Sequence, residues 1–138
     1  MQWVIYALLG AFFAALTSIL AKIGLEKIDS NLATGIRTIV ILFMAWGVVF
    51  ITGKHHEILI VSQKNWLFLT LSGCTTGLSW LFFFKALQIG EASKVIPIDK
   101  FSVVISMIMA FLVLGETVDF KTAAGGLLIT IGTLVLML

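Results

Sequence analysis

Five long apolar runs constrain this chain more than any other feature. Trp3 to Ala21 is uncharged and ends at Lys22. Leu32 to Thr52 is broken only by Arg37. Asn65 to Phe84 ends at Lys85, Val95 to Gly115 is interrupted by Asp99 and Lys100, and Thr122 to Leu138 completes the set. Crossing the hydrocarbon of a bilayer takes about 20 predominantly apolar residues as a helix. The runs do not alternate apolar with polar as barrel strands do, and they are too long for single barrel strands. A helix satisfies its own backbone hydrogen bonds in lipid. The expected fold is therefore an all-α integral membrane protein. It is a single domain over 1–138, with five transmembrane helices at about 3–23, 32–52, 65–88, 95–114 and 120–138.

Composition closes the other routes. The chain of 138 residues is 60% hydrophobic and 12% charged, with a mean hydropathy of +1.14. A soluble domain carries about 25% charged residues, and a chain this short cannot hide so much apolar surface from water. A soluble enzyme is excluded, as is a disordered segment. Cys74 is the single cysteine, so an intrachain disulfide is impossible. His55 and His56 stand together, far from Cys74, which leaves no metal site to expect. The formal net charge of +2 points to no nucleic-acid partner. No Ser-His-Asp or Cys-His set, HExxH, phosphate loop or dinucleotide fingerprint occurs, and no cofactor is expected.

The first run differs from a signal peptide. Only Met1 and Gln2 precede it, it exceeds a normal h-region, and no good small-x-small cleavage site precedes Lys22. A retained helix is expected. Punctuation supports the spans: Gly24, Asp29, Ser30 and Asn31 mark the first loop, and Gly53, Gly90 and Gly115 follow helices two, three and four. Thr117 or Asp119 is placed to cap the fifth. Trp3, Trp46 and Trp66 lie near helix ends, where the interfacial belt favours them.

Orientation is nearly balanced. Loops one and three share Lys22, Lys27, Lys85 and Lys94, with Lys100 just inside the next helix; loops two and four share Lys54, Lys64 and Lys121. The positive-inside rule needs a clearer excess. Two readings stay open: a single orientation, or insertion both ways round to give an antiparallel dimer. The second would build an inverted repeat without gene fusion.

A charge deep in the hydrocarbon costs about 2.5–3.5 kcal/mol on insertion scales, so such residues are functional candidates by default. Arg37, Asp99 and Lys100 qualify, with Lys85 at the end of its span. By position in their runs all four fall in the half of the membrane facing loops one and three. One reading is a vestibule for an anionic or zwitterionic solute, with Asp99 tuning charge or carrying a proton. The structural alternative is an Arg37–Asp99 ion pair, with the lysines snorkelling to the headgroups. Pro97 starts the fourth helix or kinks it, and interrupted helices often mark transporter binding sites.

Small residues give two further surfaces. Ser72, Thr75, Thr76 and Ser79 form a polar stripe on the third helix, beside Gly73 and Gly77 and continuing to Trp80. It reads as helix packing or as a cavity wall with Trp80 as an aromatic platform. Gly125 and Gly132 share a face of the fifth helix, suited to a dimer seam or to packing within the chain.

Taken in order, these residues resemble a single EamA domain of the drug/metabolite transporter superfamily, in its half-sized five-helix bacterial or archaeal group. The resemblance covers nearly the whole chain. It rests on Arg37 after Lys22-Ile23-Gly24-Leu25 and Ile28-Asp29, on Ser79-Trp80 and Lys85-Ala86-Leu87, and on Ala92-Ser93-Lys94-Val95 with Pro97. Leu114-Gly115-Glu116 and the fifth-helix glycines complete it. It implies a secondary transporter of small metabolites in the cytoplasmic membrane; with no phosphate loop in the sequence, active transport is expected to draw on an ion or solute gradient. Larger members carry two inverted domains in one chain, so a single domain is expected to pair, as a homodimer with a central cavity and alternating access. Arg37 and Lys85 would attract an anionic group, Ser79, Trp80 and Lys100 would line the site, and Asp99 would couple an ion. The chain departs from the four-helix multidrug members in lacking an acid in its first helix, which argues against export of polyaromatic cations by their route. A non-transporting scaffold or regulatory subunit, or a lipid flippase of the same superfamily, is the alternative.

Overall fold

The computed structural model describes residues 2–138. It contains helices α1 (Gln2–Gly24), α2 (Ser30–Ile51), α3 (Gln63–Ile89), α4 (Ala92–Asp99), α5 (Phe101–Leu114) and α6 (Phe120–Met137), with a 3-10 helix at Lys54–Ile60. No strand occurs among the described residues. Five spans are long and apolar enough to cross a membrane, α4 and α5 together making the fourth, Ala92–Leu114. The protein is thus an all-α, multi-pass membrane protein. At most 11% of any span's most apolar stretch is buried within the chain, so the helices present most of their apolar surface to lipid or to a partner. That is a normal condition in a medium as apolar as leucine.

The chain divides into two compact units, residues 20–88 and residues 1–19 with 89–138. In the first unit, Ala21, Leu25, Ala33, Phe84 and Leu87 form the buried apolar core. Asp29 caps α2, accepting hydrogen bonds from the backbone N–H of Asn31 (2.8 Å) and Leu32 (3.3 Å). Two long-range bonds tie the end of α1 and the loop after it to the end of α3. The Lys22 ammonium donates to the Leu87 carbonyl and the Gln88 amide donates to the Ile28 carbonyl, each at 2.6 Å. Both fill acceptors that helix and loop ends leave open. Thr52 ends α2, and Gly53 follows at φ 70°, a left-handed turn that glycine adopts without strain. Beyond it the 3-10 helix carries a Lys54–Glu57 ion pair, which holds the lysine ammonium above its usual range. Its His55 ring rests 5.3 Å from Phe50. In the sequence this segment carries no helical periodicity and reads as a loop between the second and third spans.

In the second unit α6 packs on α4 and α5. Gly126 faces α5: a Cβ there would stand 3.4 Å from the Met107 sulfur. Of the two candidate caps for the last helix, Asp119 serves, accepting from Thr122 N–H at 2.9 Å. Gly115, at φ 68°, closes α5. The fourth span departs in detail from the expected start or kink at Pro97. The helix begins five residues earlier, after Glu91, and carries Pro97 within α4; the interruption falls at Lys100. Proline lacks the N–H that would bond back to Ser93. The helix tightens just beyond, with Lys100 N–H donating to the Pro97 carbonyl at 3.1 Å.

Candidate functional site

Arg37 lies two turns into α2, on the face that also carries Ser30, Ala33 and Thr34, all buried. Its guanidinium carbon sits 4.2 Å from the centroid of the Phe84 ring and 5.7 Å from that of Trp80. Trp80 and Phe84 are four residues apart on α3 and so share a face. The two rings hold the cation through their π faces, each contact worth about 0.5–2 kcal/mol. Arg37 makes no hydrogen bond or ion pair among the described residues, and its Nη1 is buried without a partner. Neither α2 nor α3 contains an acidic residue. Ring contacts of this size offset part of the cost of a charge in hydrocarbon, about 2.5–3.5 kcal/mol, and they leave the in-plane N–H groups unserved. The arrangement is a half-buried planar cation beside two rings with one buried nitrogen unpartnered, suited to an oxyanion.

The remaining sequence candidates are placed differently. Lys85, next to Phe84 in the chain, is exposed, and its ammonium donates to the Gln88 amide oxygen at 3.3 Å. Ser79 is exposed. Thr75 and Thr76 turn their hydroxyls back onto carbonyls of their own helix, at 2.8–3.1 Å, so that part of the stripe offers few free donors. In the other unit, Asp99 forms its ion pair with its neighbour Lys100 at 3.7 Å, with about a third of the aspartate side chain exposed. Gly73, Gly77, Gly125 and Gly132 have open space beside them, whereas Gly126, their neighbour on α6, meets Met107. Sequence reading chose Trp80 but missed Phe84, Ser30 and the Lys22 and Gln88 ties. For two of these the signal was present: Phe84 is at i+4 from Trp80, and Ser30 is at i−7 from Arg37, both same-face spacings on a helix.

Five helices of membrane-spanning length define a polytopic membrane protein. The chain belongs to the EamA-like transporter family, which it matches over residues 1–138. It is 44% identical over 135 residues to an uncharacterized transporter in the cobO 3′ region of Sinorhizobium sp., covering 98% of this chain and 96% of that one. It is 29% identical over 137 residues to an uncharacterized transporter of Synechocystis sp., covering 94% of this chain but 38% of the longer relative. An uncharacterized protein of Methanocaldococcus jannaschii is 29% identical over 139 residues, covering 96% and 94% of the two chains. No solved structure matches. Family and relatives alike point to a transporter rather than an enzyme.

Proposed function

We propose that the protein is a secondary transporter of small metabolites in the cytoplasmic membrane, working as a homodimer of inverted halves that alternate access around a shared site. The observation that carries this reading is the half-buried Arg37 guanidinium, near two rings, with its Nη1 buried and unpartnered and no counter-charge on its own or the adjoining helix. A structural arginine in lipid is normally paired; an arginine that awaits an anionic group is not. Pairing is supported by the open faces at Gly125 and Gly132, and by the Synechocystis relative, of which this chain spans only 38%. The balanced distribution of lysines among the loops supports insertion in both orientations. Asp99 is the coupling candidate, as a carboxylate within the interrupted fourth span.

The test is counterflow in liposomes containing the purified protein alone, with pools of radiolabelled carboxylic acids, amino acids and phosphate esters. Uptake that Arg37→Gln removes, while insertion and monodispersity persist, is the expected result. A folded protein that moves none of these solutes would favour the scaffold reading. For pairing, Cys74 is replaced by Ala and one cysteine is placed at the C-terminus. An impermeant thiol reagent on intact cells should then label about half of the molecules if insertion is dual. Labelling of all or none means one orientation.

A further inference from the structure

Three buried side-chain polar atoms lack partners among the described residues; one is His55 Nδ1 in the 3-10 helix, and the other two lie on the same side of α2. Those two are Nη1 of Arg37 and the hydroxyl oxygen of Ser30, whose residue is 1% exposed. Buried polar groups are nearly always satisfied, and each exception calls for a missing partner. Seven residues separate the two, which at 3.6 residues per turn is almost two full turns, so they share a face.

Side chains on a helix lean toward its N-terminus, so the long arginine stem reaches back toward Ser30. The rings agree. The end of α3 lies beside the start of α2, because Gln88 bonds the Ile28 carbonyl. Phe84 is therefore nearer that end than Trp80, and the guanidinium sits closer to Phe84, at 4.2 Å against 5.7 Å. Between them on the same face, Thr34 already donates its hydroxyl to the Ser30 carbonyl at 2.7 Å. Asp29 is exposed and occupied with capping α2. Ser30 and Arg37 are thus two unused donors on one face of α2, and neither adjoining helix supplies an acidic acceptor.

We infer that the Ser30 hydroxyl and the Arg37 guanidinium together bind one oxyanionic group, a carboxylate or a phosphate oxygen, with Ser30 as the residue that adds a second hydrogen bond to the charge contact. This deepens the proposed function and rests on it.

The experiment uses the full chain with Trp3, Trp46 and Trp66 replaced by Phe, so that Trp80 alone reports on the site. Acetate and inorganic phosphate are titrated in detergent, with chloride as the ionic-strength control. Nanodiscs with and without phosphatidylglycerol test whether a lipid headgroup supplies the oxyanion instead. A saturable change in Trp80 emission is expected from an oxyanion and not from chloride. Arg37→Gln should abolish it, and Ser30→Ala should weaken the apparent affinity about tenfold, as expected for a hydrogen bond to a charged group. Ser30→Cys, of similar size with a weaker donor, should fall between and serves if Ser30→Ala does not fold. Thr34→Val, whose hydroxyl is already used, should leave the affinity unchanged.

If Arg37→Gln abolishes the response while Ser30→Ala and Ser30→Cys match Thr34→Val, water serves the Ser30 hydroxyl. The inference is then wrong and the proposed function stands. If no oxyanion produces an Arg37-dependent response, the anion reading of the site falls as well.

Discussion

Arg37 and Asp99 present the same signal in sequence, a charge inside an apolar run, and the structure treats them in opposite ways. Asp99 has its counter-charge beside it, Lys100 at 3.7 Å, at the point where the fourth span breaks. Arg37 has only the faces of Phe84 and Trp80, and a buried nitrogen with no acceptor. A self-neutralised pair at a helix break can be carried by the membrane without a ligand. A lone guanidinium held by rings is stable only to the extent that something else completes it. The difference separates the two as candidates: Asp99 already has a partner, and Arg37 has a buried nitrogen without one.

The largest effect expected is at Arg37. Arg37→Gln keeps polarity and bulk but removes the charge, and should lower solute flux roughly 10- to 100-fold, the range for a charge-assisted hydrogen bond. Flux assays on protein of unchanged thermal stability check this. A destabilised protein with normal specific flux would reverse the ranking. Next in size is Phe84→Leu, which removes the nearer ring. It should weaken solute binding by up to about tenfold, in keeping with a desolvated cation–π contact, and more than Trp80→Leu, because Trp80 is farther from the charge. Asp99→Asn should shift stability by about 1 kcal/mol or less, the range for a partly exposed ion pair, while removing the dependence of flux on a pH gradient. Flux that is indifferent both to pH and to this substitution would strip Asp99 of the coupling role.

The smallest effect lies outside the spans. The hydrogen bonds from Thr122 hold the Asp119 carboxyl below its usual range. A depressed folded value stabilises the cap at neutral pH, and that contribution is lost as pH falls through the folded value, below about pH 4. Amide exchange at the start of α6 should therefore accelerate under acid and with Asp119→Ala, and Asp119→Ala should leave exchange in α2 unchanged.

Much of the architecture was legible because lipid imposes it. A run of twenty apolar residues has one economical conformation in a bilayer, and the runs, the glycines at 53 and 115 and the Asp119 cap mark the helices with little help from packing. The fourth span was harder to read. Proline fixes its own φ and removes one donor, but whether the helix starts, kinks or continues there depends on what precedes it; α4 begins at Ala92 and yields at Lys100. The 3-10 helix at Lys54–Ile60 left no periodic signal, being too short for one. At the site, Arg37 and Trp80 were visible from residue type and depth. Phe84 and Ser30 were not chosen, since an aromatic and a serine are ordinary in such helices until a neighbour gives them a task.

The sequence by itself determined that this is a helical membrane protein, where its spans run, which charges are out of place in them and which family it resembles. Those follow from single-helix properties: length, hydropathy and the cost of an ion in hydrocarbon. Only the tertiary structure decided which charge is satisfied and which is not, that Gly126 rather than Gly125 meets α5, and that Ser30 and Arg37 share a buried face with nothing to bond. Those depend on which helix faces which and on the rotation of each about its axis. Hydropathy leaves that rotation nearly free when lipid and protein interior are equally apolar.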